Sequence, residues 1–345
     1  MSSLLAPIAA GYKGVVLARH ALYRRGLLKT RKLSRPVISV GNLSVGGSGK
    51  TPLIALLARL LQKNDFKPAI LTRGYGRTHG ASLVAIPPGL TRFPEPATTG
   101  DEPAWLAAAL PQVPVVICAD RFRAGRFAEK EFGVKSHLLD DGFQHLQLAR
   151  DLDVVALDVT QNVLKGAMLP AGRLREPLSA LARAHLVVLT RTELADAANL
   201  EHAVSRILPP PQIFRSRVTM ASLLNLTSGE RAAPEALAGV PVFAFCGIGN
   251  PQAFFADLTR WSFRTVGSRA FPDHHIYTGA DARRLARQAR ESHAEILVTT
   301  EKDAMNLPAG WKPGLEVFAC AIEIEMLEPG AFEQAILARL SGLLP

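Results

Sequence analysis

A chain of 345 residues that is 48% hydrophobic and 20% charged is long enough for two packed domains and too apolar to be disordered. Its net charge of +10 is local: residues 1–64 carry eleven Lys and Arg and no acid, and the rest carries 29 basic against 30 acidic side chains. That distribution points to an anionic surface for the N-terminal segment. It excludes a nucleic-acid-coating protein, as does the lack of any clustered aromatic platform among three Trp and four Tyr. Cys118, Cys246 and Cys320 lie in apolar runs without C-x-x-C spacing and read as reduced core residues.

Residues 3–28 place Leu5, Ile8, Tyr12, Val15, Val16 and Leu22 at helical spacing, with Lys13, His20 and Arg24 on the other side. Arg19 interrupts the apolar face and has to snorkel. The segment is too short and too charged to span a bilayer, and its basic residues follow the apolar stretch, unlike a secretory signal. With Arg25, Lys29, Arg31, Lys32 and Arg35 behind it, it reads either as an interfacial helix on anionic lipid or as a helix docked on the protein's own core.

The apolar run at 37–41 leads into Asn42-Leu43-Ser44-Val45-Gly46-Gly47-Ser48-Gly49-Lys50-Thr51-Pro52 and then an apolar stretch to Leu61. This is strand, glycine-rich loop and helix. Residues 44–51 match the phosphate loop G-x-x-x-x-G-K-[ST], except that Ser44 stands where the first glycine belongs. Glycines at 46, 47 and 49 let backbone N–H groups converge on an anion, and the helix start adds its positive dipole end. Lys50 is placed to reach the β- and γ-phosphates and the Thr51 hydroxyl to ligate Mg²⁺.

Residues 67–72 read as a second strand running into Arg73-Gly74-Tyr75-Gly76-Arg77, at a strand end where open α/β sheets place ligands. A proline-containing loop leads to Gly100-Asp101-Glu102-Pro103 and a helix over 104–110. Asp101 fits a helix N-cap, which its residue type favours, or a carboxylate beside the phosphates. A buried strand at 113–118 precedes Arg121, and an apolar strand ends in Asp140-Asp141-Gly142-Phe143-Gln144-His145. That pattern is good turn chemistry. Downstream of a phosphate loop it is also what an Mg²⁺-holding strand end looks like. Strands follow at 152–158 and 185–189, with Arg173, Arg175 and Glu176 in the loop between them; that loop suits phosphate and metal contacts or a plain surface. The alternation over 36–215 predicts a mostly parallel sheet wrapped by helices.

Pro209-Pro210-Pro211 and the stretch 228–234 bracket an alternating strand at 213–220 and suggest a linker region over 216–239. A C-terminal α/β domain over 240–345 then opens with a strand at 240–246, a G-x-G turn at 247–249 and a helix. Phe271-Pro272-Asp273-His274-His275-Ile276-Tyr277 precedes an Arg-rich helix at 282–291. A strand at 295–300 ends in Glu301-Lys302-Asp303, and a last strand at 315–324 precedes a helix at 329–342. His274 with a carboxylate neighbour fits proton handling as well as it fits an exposed, capped loop.

The ordered set of motifs resembles the tetraacyldisaccharide 4′-kinase family of lipid A biosynthesis, within the P-loop NTPase superfamily. The carrying stretches are 41–52, 73–76, 100–103, 140–145, 174–177, 271–277 and 300–303. The resemblance implies a P-loop-type α/β core (36–215), a smaller α/β domain closing over the site (240–345) and an N-terminal membrane-surface helix (1–35). It implies transfer of the γ-phosphoryl group of ATP to the 4′-hydroxyl of a tetraacylated glucosamine disaccharide 1-phosphate, with Mg²⁺, at the cytoplasmic face of the bacterial inner membrane. Neither a nucleic acid nor an obligate protein partner is expected. Asp101 paired with His274 is implied as the base. Ser44, Val45, Gly46, Gly47, Ser48, Gly49, Lys50 and Thr51 would hold ATP, with Thr51, Asp140, Asp141 and Glu176 around the metal. Arg73, Arg121, Arg175 and His145 are candidates for substrate or phosphate contact. The alternative is a membrane-associated P-loop switch or assembly ATPase or GTPase. Thr190-Arg191-Thr192-Glu193 after a strand only loosely matches its guanine-reading element, lacking both Lys and Asp.

Overall fold

The computed structural model describes residues 2–74, 81–90, 96–209, 212–308, 311 and 313–343. Tyr75, Gly76 and Arg77 of the turn after the second strand, Pro94 of the following loop, and Pro210 and Pro211 lie outside these residues. The phosphate-loop half contains α1 (Ser2–Arg24), β1 (Val37–Gly41), α2 (Lys50–Lys63), β2 (Pro68–Thr72), β3 (Leu83–Ile86), α3 (Pro96–Thr99) and α4 (Asp101–Ala109). It continues through β4 (Val115–Cys118), α5 (Arg121–Phe132), β5 (Ser136–Asp140), β6 (Leu152–Asp158), β7 (Leu186–Thr190), α6 (Ala198–Ser205) and β8 (Ile213–Asn225). The second half comprises β9 (Arg231–Ala232), β10 (Pro241–Cys246), α7 (Pro251–Arg260), β11 (Arg264–Ala270), α8 (Gly279–Glu291) and β12 (Ile296–Thr300). A short turn of helix, α9 (Glu301–Ala304), then β13 (Glu316–Met326) and α10 (Pro329–Leu340) complete the order.

The strands join in one sheet in the order β11-β10-β12-β13-β8-β7-β6-β1-β5-β2-β4-β3, with β9 on the flank of β8. Pairing is parallel except for β3 on β4, β9 on β8 and β13 on β8. β1, β2, β5, β6 and β7 are buried along their whole length. This is the continuous apolar pattern of strands covered by helices on both faces. α2 covers one face with Leu53, Ile54, Leu57, Ala58 and Leu61, an i, i+3, i+4 stripe that is fully or nearly fully buried.

β8 is the seam between the halves. Its start runs parallel to β7 through Ile213–Arg215, and from Ser216 onward it pairs antiparallel with β13. The stretch 216–239 therefore holds most of β8, β9 and a 3₁₀ turn at Pro234–Leu237. Three strands lie outside those read from sequence: the four-residue edge strand β3 within the proline-rich loop, the two-residue β9 within 228–234, and β11, whose polar residues sit at the opposite edge. Among the described residues, no helix is long and apolar enough to cross a membrane.

Candidate active site

β1 ends in the centre of its half-sheet, between β5 and β6. The chain turns there through residues 44–49 into α2. Gly46 and Gly49 adopt φ of 102° and 80°, conformations that a side chain would oppose. The loop is held by its neighbours. Asn42 Nδ2 donates to Ser48 Oγ at 2.8 Å, Thr190 Oγ1 to the Ser48 carbonyl at 3.1 Å, and Gln161 Nε2 to the Gly47 carbonyl at 2.8 Å. Ser44, in place of the usual glycine, donates its hydroxyl to Gln161 Oε1 at 3.2 Å. The loop also faces a cleft of about 800 Å³ that runs between the two halves of the sheet.

β5 delivers Asp140 beside β1, with Val40 and Asp140 in register. Asp140 accepts a hydrogen bond from Thr72 Oγ1 at 2.8 Å. Burial and the charges of Glu102 and Asp141 push its pKa up to about 7. Asp141, at φ 49°, is only half-buried, and the forked Arg175 guanidinium at 2.6 and 2.7 Å and Lys50 Nζ at 3.5 Å hold its carboxyl well below the usual range. Arg175 also reaches Asn42 Oδ1. The Asp140 carboxyl and the Thr51 hydroxyl both line the cleft and are oxygen donors of the kind that would hold a divalent cation; among the described residues no preformed cluster of three ligands exists.

Asp101 opens α4, with Gly100 at the cap position. It is not a capping residue in the usual sense, since its Oδ2 lies 2.9 Å from His274 Nδ1, across the cleft. Burial works against the Asp101 charge, but the His274 hydrogen bond and Lys302 outweigh it and lower the pKa. The same hydrogen bond raises the pKa of His274. His274 sits at φ 60°, uncommon for a residue with a side chain. Its neighbour His275 stacks on Phe271 and pairs with Asp281, a packing role.

A positive wall completes the cleft. Arg121 is buried with its Nε unpartnered and one Nη donating to the Ala119 carbonyl at 3.1 Å. Arg73 and Arg19 line the same wall, and Arg19 donates to the Gln144 carbonyl at 3.2 Å. Burial together with Arg121, Arg150 and Arg19 pulls His145 down to about 4, so its imidazole is neutral at physiological pH.

Of the residues singled out from sequence, 45–51, Arg73, Arg121, Asp140, Asp141, His145, Arg175 and His274 line the cleft; buried Asp101 reaches it through His274, and buried Ser44 pairs with Gln161. Glu176 does not. It is 1% exposed, and its carboxylate meets Arg183 at 3.0 Å and His20 of α1 at 3.4 Å, so it docks the N-terminal helix. Lys302 and Glu102 also line the cleft; the sequence reading placed them only within the 300–303 and 100–103 motifs. Arg173, from the loop read as suited to phosphate and metal contacts, bridges the Val45 and Gly249 carbonyls at 3.2 and 3.0 Å.

A glycine-rich phosphate loop after a central parallel strand, an acid-ended neighbouring strand and a cationic cleft define a phosphate-loop α/β nucleotide-binding protein. A family model described as tetraacyldisaccharide-1-P 4′-kinase matches residues 1–341. A tetraacyldisaccharide 4′-kinase of Geobacter metallireducens is 39% identical over 335 residues, covering 97% of each chain, and one of Koribacter versatilis is 43% identical over 309 residues, covering 87% of this chain and 88% of that one. A crystal structure of LpxK from Aquifex aeolicus in complex with ATP is similar with a TM-score of 0.78 at 32% identity, covering 98% and 99% of the two chains. This chain belongs to the tetraacyldisaccharide-1-P 4′-kinase family. It is a phosphotransferase acting on a hydroxyl group, and the switch-protein reading is not favoured.

Proposed function

We propose that this chain transfers the γ-phosphoryl group of ATP to the 4′-hydroxyl of a tetraacylated glucosamine disaccharide 1-phosphate, giving lipid IVA, at the cytoplasmic face of the inner membrane. The observation that carries the reading is the Asp101–His274 pair at 2.9 Å, with His274 on the cleft lined by the phosphate loop and Asp101 buried against it. A hydrolase or switch needs no such pair aimed at a second substrate.

Residues 44–49 and Lys50 would hold the triphosphate. Thr51 and Asp140 are the residues that would hold Mg²⁺, which supplies charge neutralisation at the β- and γ-phosphate oxygens. Asp141 is committed to Lys50 and Arg175 and so fixes the lysine's reach. The sugar hydroxyl gives its proton to the Asp101–His274 pair as its oxygen bonds to phosphorus, while the bond from phosphorus to the β,γ-bridging oxygen breaks and ADP leaves. Arg73, Arg121 and Arg19 form a wall suited to the substrate's own phosphate.

The acceptor carries four acyl chains and leaves a bilayer only at great cost. α1 suits a membrane surface: Ile8, Val15 and Leu22 are exposed, as are Leu27 and Leu28 beyond it, beside exposed Arg24, Arg25, Lys29 and Lys32. Arg19 places the same helix at the cleft. The decisive experiment follows labelled γ-phosphate from ATP–Mg²⁺ into detergent-dispersed tetraacyl disaccharide 1-phosphate, beside a control without acceptor. Label in the lipid is expected. Phosphate release that is indifferent to the acceptor would refute the reading.

A further inference from the structure

The His274 imidazole lies between two carboxylates. Asp101 Oδ2 is 2.9 Å from Nδ1, and Asp273 Oδ2 is 3.8 Å from Nε2. The two acids come from different parts of the molecule, Asp101 from α4 and Asp273 from the loop ahead of α8. Glu102 stands beside them. An imidazole shared by two carboxylates can swing toward either, and only one orientation serves a base pair on Asp101.

Lys302 settles the competition. Its Nζ lies 3.3 Å from Glu102 Oε1, 3.6 Å from Asp273 Oδ1 and 3.7 Å from Asp101 Oδ2. The lysine is aimed there by its own turn. Thr300 caps α9 by accepting from the Asp303 N–H, and Asp303 is buried, accepting from Gly247 N at 2.7 Å, Tyr277 Oη at 2.8 Å and Thr300 Oγ1 at 2.7 Å. That clamp fixes α9 in the second half of the sheet and leaves the adjacent Lys302 pointing across the cleft at α4. Burial opposes the lysine's charge, but the three acids outweigh it and keep the ammonium protonated.

We infer that Lys302 is a positioning residue for phosphoryl transfer: it holds Asp273 off His274, so that the imidazole stays with Asp101. The inference rests on the kinase reading above. Without the ammonium, Asp101, Glu102 and Asp273 lose the cation that they share, and His274 stays in contact with two of them. Asp273 then draws the imidazole from the Nε2 side, because it is next in sequence and 3.8 Å from Nε2. A displacement of about 1 Å of a reacting group costs on the order of a hundredfold in rate.

The test is steady-state transfer to the lipid acceptor by the full chain in detergent. The unaltered protein comes first, with and without acceptor; failure of acceptor-dependent transfer there overturns the kinase reading, and this inference with it. Given transfer, Lys302→Met is expected to lower kcat by about ten- to a hundredfold with the KM for ATP within about twofold. Lys302→Met combined with Asp273→Asn is expected to recover at least tenfold of that loss, because the competing charge is gone. A salt bridge that merely joins the two halves would show in the melting temperature of both variants and leave the kcat of the folded enzyme unchanged. Unchanged kcat in Lys302→Met, or a double variant no faster than the single one, overturns the inference and leaves the kinase reading intact. Should Lys302→Met fail to fold, Lys302→Arg and Lys302→Gln carry the test: a rate recovered by Arg and not by Gln supports it, and equal rates overturn it.

Discussion

The phosphate loop and the G-x-G turn of the second half touch backbone to backbone, and Gly249→Ala exposes what depends on that contact. A Cβ at Gly249 would lie 2.2 Å from the Gly47 amide nitrogen, 2.8 Å from Gly46 Cα and 2.9 Å from the Gly46 carbonyl carbon. The first distance is about 1.2 Å short of ordinary van der Waals contact, and no flexible side chain is there to give way. Either the phosphate loop or the turn before α7 therefore has to retreat by about an ångström, a displacement that costs on the order of a hundredfold in a positioned reaction. Because the displaced backbone is the proposed triphosphate cradle, the expected result is loss in both ATP affinity and kcat, read by calorimetric titration of ATP and by label transfer. Gly330→Ala, on α10 with nothing within 4 Å of the added carbon, is the control and should leave both unchanged. A Gly249→Ala enzyme with normal ATP affinity and turnover would refute the claim that the two halves meet on the nucleotide loop.

Two further predictions follow from the electrostatics. His274 has its pKa raised by its bond to Asp101, and the pair accepts a proton only when the imidazole is neutral. Activity is therefore expected to rise with pH through an apparent pKa above the ordinary histidine value of about 6.5. Asp101→Asn should lower kcat and move the residual limb to lower pH; a limb that does not move would disconnect the pair from the reaction. Glu176→Leu removes a buried partner of Arg183 and His20, a loss worth about 3–5 kcal/mol when one member of such a cluster goes. It should lower the melting temperature and loosen α1 in hydrogen exchange, while the Mg²⁺ concentration needed for half-maximal rate stays put. A marked rise in that concentration would return Glu176 to the metal.

The parts of the site that are local in sequence could be read from it, and the parts that cross the cleft could not. The phosphate loop announces itself because strand, glycines, lysine and helix are contiguous. Asp140 announces itself because an apolar run ends on it. Asp101 and His274 are 173 positions apart, and Glu102 and Lys302 are 200 apart. No periodicity or spacing links them, and Asp101 alone looked like a capping residue. Glu176 was drawn toward the metal by its neighbour Arg175. It precedes Pro177, though, and a residue before proline is held extended, where successive side chains diverge. β11 escaped because edge strands need no continuous apolar run: it reads Arg-Thr-Val-Gly-Ser-Arg-Ala, mostly exposed. β3 reads Leu-Val-Ala-Ile, an apolar run of only four residues in a loop marked by prolines.

The seam at β8 ties these observations to the chemistry. A flexible linker between halves would leave the distance from the phosphate loop to His274 and Lys302 unspecified. In this chain one strand is shared: Ile213–Arg215 pair with β7, the strand whose Thr190 bonds the phosphate loop, and the residues from Ser216 onward pair with β13. β13 in turn pairs in parallel with β12, at whose end α9 carries Lys302. The hydrogen-bond ladder thus runs unbroken from the nucleotide side to the base side. If the halves close on substrate, the motion has to be a twist of that continuous sheet about β8, and the rate of transfer should then respond to substitutions that stiffen or loosen this strand as well as to those in the cleft.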